Sequence, residues 1–394
     1  MTPDVVVIGA GLAGCSLAWH LSASRRVLVL DQASQPGAEA TSQNAGMIRR
    51  MGDDPIERAL ALRTFDFLEN PGPDWDEATP SRRTGAMLAL GEDTRGLDDA
   101  AANLRLRGVR FEACDRPADV APVLQGSPVH FGWWLPDERV ADAHALNAGF
   151  VRGIRRHGSA IRCGVEVQAV RVAAGRVEGV ETSQGFIPTP TGVLATGAGS
   201  ARRARSLGLD RPLVPVRRTL LQTAAHPLAT PDHPWTWIDD VGLYARPESG
   251  GWLVSGCDET VDPPGTGPGS TGPVDAFPRA LALDKVERWM PALRDAPIVG
   301  GLTGLRTFAP DRRPVFGADP AVEGLWWVAG LGGFGVTCAY AAGEAVAAWM
   351  KGESTSWLSP RSVAPGRPLP ARWLLHPDGR AHGGVLVGAR AELP

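Results

Sequence analysis

Residues 5–14 are VVVIGAGLAG, four apolar residues followed by the motif GxGxxG. A short apolar run without polar alternation is typical of a parallel strand that is buried on both faces. A predicted helix with Leu17 and Leu21 on one side comes next, and residues 26–31, RVLVLD, predict a second strand that ends in a carboxylate. Strand, glycine motif, helix, strand and acid in this order predict an α/β fold whose first βαβ unit binds a dinucleotide.

The residues of this unit have separate physical tasks. Gly9 permits a tight turn, Gly11 lets a pyrophosphate approach the backbone, and Gly14 lets the helix pack closely on the strand. The first helical N–H groups and the positive end of the helix dipole face the phosphates, and Asp31 accepts hydrogen bonds from the adenosine ribose. The predicted contacts in this unit are Gly9, Gly11, Leu12, Ala13, Gly14, Leu30 and Asp31.

Two later segments favour FAD over NAD as the dinucleotide. Residues 40–47, ATSQNAGM, which we call the flavin loop, follow the second strand almost at once and suit backbone that runs along a ligand. Residues 324–330, GLWWVAG, predict a strand, and residues 331–337, LGGFGVT, predict a second glycine-rich turn that opens a helix. The positive end of that helix would stabilise the negative charge that reduction leaves on a flavin ring. A helix cap built from small residues is the alternative for the second turn.

The composition limits the classes of protein to which the chain can belong. A chain of 394 residues exceeds what one hydrophobic core supports, so we expect two packed regions. The net charge of −3 gives no general attraction to nucleic acid, and five scattered cysteines without a CxxC pair predict neither a disulfide framework nor a metal site. We find no basic leader and no apolar run of about 18 residues. We therefore expect a cytoplasmic protein, with peripheral membrane association as the alternative.

Short sequence patterns between these motifs predict the helices, strands and loops that connect them. Asp142 suits the N-cap of a helix that carries Leu146 and Phe150 on one face. Alternating apolar residues between 212 and 257 predict antiparallel strands, and residues 262–272, rich in proline and glycine, predict a long loop.

The ordered motifs resemble those of the D-amino acid oxidase superfamily of FAD-dependent oxidoreductases. The shared motifs are the βαβ unit, the flavin loop, VLATGAG at 193–199, GLR at 304–306 with APDRRP at 309–314, and the turn at 330–337. The resemblance spans about residues 4–351. Members of this group include glycine oxidase, sarcosine oxidase and bacterial D-amino acid dehydrogenases, and the chain looks most like D-arginine dehydrogenase.

The resemblance implies a Rossmann-like FAD-binding domain of the glutathione-reductase type and an α+β substrate domain built on a mainly antiparallel sheet. It assigns residues 1–80, 140–211 and 305–352 to the FAD-binding domain, 81–139 and 212–304 to the substrate domain, and 353–394 to a proline-rich tail. FAD would be bound noncovalently, because the cysteine that anchors the flavin of sarcosine oxidase aligns near Gly304. The further cofactor contacts that the resemblance implies are Ser42, Asn44, Ala45, Gly46, Met47, Val167, Thr196, Gly197, Gly330, Gly332, Gly333, Phe334, Gly335, Val336 and Thr337.

The same resemblance implies oxidation of the CH–NH2 group of a small D-amino acid. Hydride would pass to flavin N5, and the resulting imine would hydrolyse to a 2-oxo acid and ammonia. Arg306 matches the family's carboxylate-binding arginine, Arg218 matches a second arginine of the site, and Tyr244 matches a tyrosine that closes over the carboxylate. The planar fork of a guanidinium suits such a clamp, and a surface salt bridge is the alternative for Arg306. No histidine stands out as a general base.

Departures from D-arginine dehydrogenase concern the substrate side chain. The chain has Gly46 and Met51 where that enzyme has an active-site histidine and tyrosine. It has Ala86 where that enzyme has the acid that pairs with the substrate guanidinium. We therefore predict that arginine is a poor substrate, because a charge-assisted pair is lost.

Two further features bear on the pocket and on the electron acceptor. Trp235, Trp237 and Trp252 suggest an apolar or aromatic pocket, with a place in the core as the alternative. The lysine that activates oxygen in sarcosine oxidase aligns with Val254, so we expect a quinone or another carrier as acceptor. Two other functions remain as alternatives. One is an oxygen-using oxidase of glycine, sarcosine or another secondary amine, and the other is an FAD-binding subunit of a larger complex with a degenerate site.

Overall fold

The computed structural model describes residues 2–52, 54–75, 80–91, 97–106, 108–209, 211–262 and 274–370. In these residues the helices are α1 (Leu12–Ser22), α2 (Pro55–Glu69), α3 (Leu97–Leu106), α4 (Pro117–Val120), α5 (Ala143–Arg156), α6 (Ser200–Ser206), α7 (Ala276–Trp289), α8 (Gly335–Met350) and α9 (Pro360–Val363). In the same ranges the strands are β1 (Val5–Ile8), β2 (Val27–Leu30), β3 (Met47–Ile48), β4 (Ser81–Arg83), β5 (Ala86–Ala89), β6 (Glu112–Cys114), β7 (Gly132–Leu135), β8 (Arg139–Ala141), β9 (Ala160–Arg162), β10 (Val167–Ala173), β11 (Arg176–Thr182), β12 (Gly185–Pro188), β13 (Gly192–Leu194), β14 (Val214–Thr223), β15 (Trp235–Ile238), β16 (Leu243–Glu248), β17 (Gly251–Ser255), β18 (Thr260–Val261), β19 (Ile298–Phe308), β20 (Val315–Ala318) and β21 (Leu325–Ala329).

The first sheet has the strand order β20-β21-β13-β1-β2-β9, and its pairs are parallel except for β20 with β21. Both faces of this sheet are covered. Val7 and Val29 pack with α1 and α8 on one side, whereas Val6 and Leu28 pack with β10 and β11 on the other. Burial on both sides explains the uninterrupted apolar run at the start of the chain. The predicted unit of β1, α1 and β2 is confirmed.

Close packing at the start of α1 depends on two glycines. Gly9 has a φ of +111°, and a Cβ atom there would overlap the carbonyl oxygen of Ala195, which follows β13. A Cβ atom on Gly14 would overlap the carbonyl oxygen of Gly9. The backbone of α1 therefore reaches the end of β1 only because both positions lack a side chain.

The second sheet has the strand order β18-β14-β17-β16-β15-β5-β7-β6, with β19 also paired to β14. Its pairs are antiparallel apart from β5 with β15. A long ladder joins β14 to β19, from Val214 opposite Phe308 to Thr223 opposite Ile298. The predicted α/β fold with a mainly antiparallel second sheet is therefore confirmed.

Smaller elements surround these two sheets. Strands β10, β11 and β12 form one antiparallel sheet, and β3, β8 and β4 form another. Helix α5 begins after Asp142, whose carboxylate accepts a 2.9 Å hydrogen bond from the Ala145 N–H group, so the predicted N-cap is confirmed. Most of the predicted loop, residues 263–272, and the predicted tail from 371 onward lie outside the described residues. None of the helices in the described part of the chain combines the length and apolar character that crossing a bilayer requires.

Candidate active site

A cavity lies at the carboxyl ends of β1, β2 and β21. Ile8, Leu30 and Ala329 at these ends contribute to its lining, as does one face of the second sheet. The carboxyl edge of a parallel sheet is where α/β folds bind their ligands. Gly9 of the first turn and Gly332 of the second turn border the same cavity, so one long ligand there would contact both turns.

Most of the predicted cofactor residues line this cavity. Those that do are Gly9, Gly11, Leu12, Ala13, Leu30, Asp31, Asn44, Ala45, Gly46, Met47, Val167, Thr196, Gly197, Gly330, Gly332, Gly333, Gly335 and Val336. The lining does not include Gly14, Ser42, Phe334 and Thr337. Contact between a cofactor and any of these residues, inside or outside the lining, stays a prediction.

Two of those four residues have hydrogen bonds that account for their positions. The Ser42 hydroxyl group donates to the carbonyl oxygen of Ala38 at 2.8 Å, within the turn that precedes it. The Thr337 hydroxyl group donates to the carbonyl oxygen of Met47 at 3.3 Å and accepts from the backbone N–H group of Arg49 at 3.3 Å. Thr337 therefore connects the helix of the second turn to the end of the flavin loop.

The Asp31 carboxylate is held by the backbone around the first turn. Its Oδ2 atom accepts from the Ala10 N–H group at 2.7 Å, and its Oδ1 atom accepts from the Ala33 N–H group at 2.9 Å. Each oxygen retains a lone pair, so the carboxylate can still accept from a ribose hydroxyl group in the cavity. The Leu12 N–H group donates to the Thr41 hydroxyl oxygen at 3.0 Å. Thr41 belongs to the flavin loop but is not among the cofactor residues predicted from the sequence.

Strand register places the predicted substrate residues on one face of the second sheet. Arg218 of β14 lies opposite Gly304 of β19, two residues before Arg306. Because side chains alternate between the two faces of a strand, Arg218 and Arg306 stand side by side on the same face. Tyr244 of β16 pairs there with Trp237 of β15, and their ring centroids lie 5.0 Å apart. All four side chains belong to residues that line the cavity.

The neighbouring Arg217 lies on the other face of β14. Its guanidinium forms ion pairs with Asp262 at 2.7 Å and with Asp275 at 3.1 Å. Arg217 is not part of the cavity lining. Because side chains alternate between the two faces of β14, Arg218 faces the cavity and the adjacent Arg217 does not.

A largely buried carboxylate pairs with three guanidinium groups. Glu259, which sequence analysis missed, forms ion pairs with Arg312 at 2.9 Å, Arg218 at 3.2 Å and Arg306 at 3.3 Å. Burial alone would raise the pKa of Glu259, but these three positive charges lower it to about 2. Burial, followed by the nearby charge of Arg218, lowers the pKa of Arg306 below its ordinary value. Glu259 is not part of the cavity lining, so it partners the arginines from behind.

Arg49 also lines the cavity, and sequence analysis did not single it out. Its guanidinium carbon lies 4.4 Å from the centroid of the Trp237 ring and 4.3 Å from that of the Phe334 ring. Contacts between a guanidinium and the faces of aromatic rings are stabilising. The signal available in the sequence was its position two residues after the flavin loop.

Met51, Ala86 and the three tryptophans of the predicted pocket lie in different environments. Met51 and Ala86 are not part of the cavity lining, and Ala86 is fully buried in β5. Trp235 and Trp252 are fully buried in the core, which confirms the core alternative for these two tryptophans. Trp237 is the one of the three that borders the cavity.

Glu259→Gln should destabilise the protein in a pH-dependent way. The folded state lowers the pKa of Glu259 from an ordinary value of 4.5 to about 2, so its stabilising effect is complete above pH 4.5 and is lost as the pH falls toward 2. The shift corresponds to about 3 kcal/mol of stability at neutral pH. Urea unfolding followed by tryptophan fluorescence should show a difference of about that size between wild type and variant at neutral pH, and a smaller one near pH 3. A difference that stays constant with pH would contradict the charge interaction.

Comparisons with known proteins agree with this geometry. Residues 4–349 match the family described as DAO, FAD dependent oxidoreductase. The chain is 27% identical to the glycine oxidase of Pseudomonas putida over 340 residues, which cover 83% of this chain and 88% of that one. It is 27% identical to the D-amino acid dehydrogenase of Paramagnetospirillum magneticum over an alignment of 421 positions, which covers 89% of this chain and 96% of that one.

A solved structure shares the fold. The L-proline dehydrogenase from P. horikoshii superimposes with a TM-score of 0.83 at 21% identity, covering 92% of this chain and 97% of that one. The family match covers nearly the whole described chain and therefore decides which family the chain belongs to. The chain belongs to the DAO family of FAD-dependent oxidoreductases, whose members include amino acid dehydrogenases and oxidases, and its cofactor is FAD.

Proposed function

We propose that this protein oxidises the CH–NH2 group of a small D-amino acid and passes the electrons to a quinone or another carrier. The observation that supports this function most directly is the pair of guanidinium groups, Arg218 and Arg306, on one sheet face in the cavity that both glycine turns border. Guanidinium groups bind carboxylates through two parallel hydrogen bonds, which fixes both the position and the orientation of the bound group. Similarity to a D-amino acid dehydrogenase over most of both chains supports the same substrate class.

The cofactor contacts in this proposal run along the cavity. The first turn at Gly11 receives the pyrophosphate, Asp31 the adenosine ribose, Val167 the adenine, and the second turn the flavin ring. The first turn has room for this, because a Cβ atom on Gly11 would meet only the Thr41 hydroxyl oxygen, at 3.2 Å. Binding is noncovalent in this proposal, since no cysteine among the described residues lines the cavity.

In this proposal the two large sheets belong to two different domains. Strands of the first sheet lie within residues 1–80, 140–211 and 305–352, the segments assigned to the FAD-binding domain. Strands of the second sheet come mainly from residues 81–139 and 212–304, the segments assigned to the substrate domain. Strand β19 crosses the boundary between them, and its Arg306 lies beside Gly333 of the second turn as well as beside Arg218 of β14.

Arg306, Arg218 and Tyr244 would hold the substrate by its α-carboxylate. Burial raises the pKa of Tyr244, although the charge of Arg218 partly opposes this, so its hydroxyl group stays protonated at neutral pH and remains a hydrogen-bond donor. Two guanidinium groups and one hydroxyl group together suit the oxygens of one carboxylate. Held in this way, the substrate presents one fixed face of its α-carbon to the cavity.

When bound, FAD supplies the hydride acceptor for the reaction. The substrate loses a hydride from its α-carbon and a proton from its amine, and water converts the imine to a 2-oxo acid and ammonia. No histidine among the described residues lines the cavity, so the chain contributes positioning rather than a strong general base. A substrate that binds with a neutral amine needs no such base.

The surroundings of Val254 favour a carrier over oxygen as electron acceptor. Val254 is 2% exposed and lies in the core. The nearby Lys285 donates from Nζ to the carbonyl oxygens of Gly242 at 3.1 Å and Gly256 at 2.8 Å, and it is not part of the cavity lining. A positive charge beside the flavin assists the reduction of oxygen by stabilising the anion that forms. The oxygen-using oxidase remains the second candidate, because the similarity to a glycine oxidase is equally close.

Gly11→Ala should weaken FAD binding without unfolding the protein. Gly11 has a φ of −76°, which alanine adopts without strain. The added methyl group would stand where the pyrophosphate must approach the backbone, so the dissociation constant for FAD should rise roughly tenfold or more. Titration of the apoprotein with FAD measures this effect. Gly72→Ala is the matched control, because a Cβ atom there meets nothing within 4 Å. Equal affinity in the two variants would exclude the first turn as the pyrophosphate site.

Arg306→Met should remove most of the activity toward amino acids. Loss of a bidentate clamp should lower kcat/KM by roughly 100-fold, as measured by anaerobic bleaching of the bound flavin. Arg217→Met is the control, since Arg217 lies on the opposite face of the neighbouring strand. If no amino acid or amine bleaches the wild-type flavin, the protein is an FAD-binding subunit rather than an amino acid dehydrogenase.

Air should reoxidise the reduced protein slowly, whereas a quinone should reoxidise it rapidly. The physical reason is that the described lining contains no lysine to stabilise the anion formed from oxygen. Mixing the photoreduced holoprotein with air-saturated buffer or with a soluble quinone, and following the flavin absorbance, measures both rates. Fast reoxidation in air with stoichiometric peroxide would instead establish the oxidase.

A further inference from the structure

Arg49 differs from the other partly buried arginines of the site in having no carboxylate partner among the described residues. No carboxylate of the described residues forms an ion pair with its guanidinium, which lies against Trp237 and Phe334 and borders the cavity. By contrast, the adjacent Arg50 forms a buried ion pair with Glu138 at 2.9 Å. The positive charge of Arg49 is therefore available to a ligand in the cavity.

Burial makes this charge costly unless an anion arrives. Burial lowers the pKa of Arg49 below its ordinary value, although more distant acidic groups partly oppose the shift. A guanidinium taken out of water loses hydration that ring contacts replace only in part. A carboxylate entering the cavity would supply the missing partner, and the two aromatic rings would hold the guanidinium plane in place for it.

Arg49 and the carboxylate clamp belong to the same end of the cavity. Trp237, which Arg49 contacts, is stacked on Tyr244 at 5.0 Å between ring centroids. Tyr244 shares its sheet face with Arg218 and Arg306. The single carboxylate of Glu259 partners the clamp from behind and cannot balance the charge of all these groups. A ligand that carries two anionic groups would therefore neutralise the excess positive charge of the pocket.

We propose that Arg49 is a second anion site in the substrate pocket, and that the substrates are amino acids with a second carboxylate, such as D-aspartate and D-glutamate. This inference rests on the proposed function, because it assigns the α-carboxylate to Arg218 and Arg306. Ring contacts use no hydrogen-bond donor of the Arg49 guanidinium, so its N–H groups can still bind a carboxylate. Trp237 then forms the wall of an anion site rather than an aromatic side-chain pocket. The same charge excludes arginine as a good substrate.

Matched pairs of substrates test this inference. The holoprotein is reduced anaerobically by D-aspartate or D-glutamate, by their isosteric amides D-asparagine and D-glutamine, and by D-arginine. We expect kcat/KM for the better acid to exceed that for its amide on the order of 10- to 100-fold, the effect of one charge-assisted pair. D-arginine should be the poorest of the five.

Substitutions at Arg49 separate its role from that of the clamp. Arg49→Met keeps an unbranched apolar side chain between the rings and should remove the preference for the acids while leaving the amides little changed. Arg49→Lys restores the charge without the planar fork and should recover part of the preference. Arg217→Met removes a charge from the other sheet face and should change neither class. Equal losses for acids and amides in Arg49→Met, or loss of FAD from that variant, would show that Arg49 serves the cofactor and would overturn the proposal.

An inert ligand provides a readout that does not depend on turnover. Glutarate and pentanoate have the same chain length and differ by one carboxylate, and the binding of each to the holoprotein is measured by calorimetric titration. Wild type should bind glutarate more tightly than pentanoate, and Arg49→Met should bind the two alike. Equal affinities in wild type would refute the second anion site. If no amino acid reduces the flavin, the proposed function fails, and this titration still decides whether Arg49 binds an anion.

Discussion

The antiparallel pairing of β14 with β19 is the constraint on which the site depends. In this register Arg218 lies opposite Gly304, and Arg306 follows on the same face. A shift of one residue would turn Arg218 away from the cavity and bring Arg217 into it. Gly304 also lies against the flavin loop, where a Cβ atom would come within 2.7 Å of the carbonyl oxygen of Gln43. Strand β19 therefore sets both the spacing between Arg218 and Arg306 and the position of these arginines relative to the flavin loop.

Positive charge is concentrated at the substrate end of the cavity, and the surrounding structure makes this concentration stable. Buried guanidinium groups are costly without partners. Glu259 partners three of them from behind, and two aromatic rings contact Arg49. Glu259 is not part of the cavity lining, whereas Arg49, Arg218 and Arg306 are, so the positive charge borders the cavity. Positive charge that the fold already places at the cavity is suited to an anionic ligand.

Family membership accounts for the framework more than for the substrate. Relatives at the same identity include an oxidase and a dehydrogenase, so a shared fold and cofactor leave the reaction partner undetermined. Substrate choice depends on the few side chains that border the pocket. Arg49, Trp237 and Tyr244 are such residues here, and the ring and charge contacts among them distinguish this pocket from a purely apolar one.

Local sequence patterns were enough to establish the first βαβ unit, both glycine turns and the Asp142 cap, because each depends on residues that are neighbours along the chain. Most cofactor residues named from those motifs line the cavity for the same reason. The placement of Arg218 beside Arg306, the partnership of Glu259 with the clamp and the contact of Arg49 with Trp237 emerged only in the folded chain. They depend on strand register and side-chain packing between segments far apart in sequence, which no local pattern encodes.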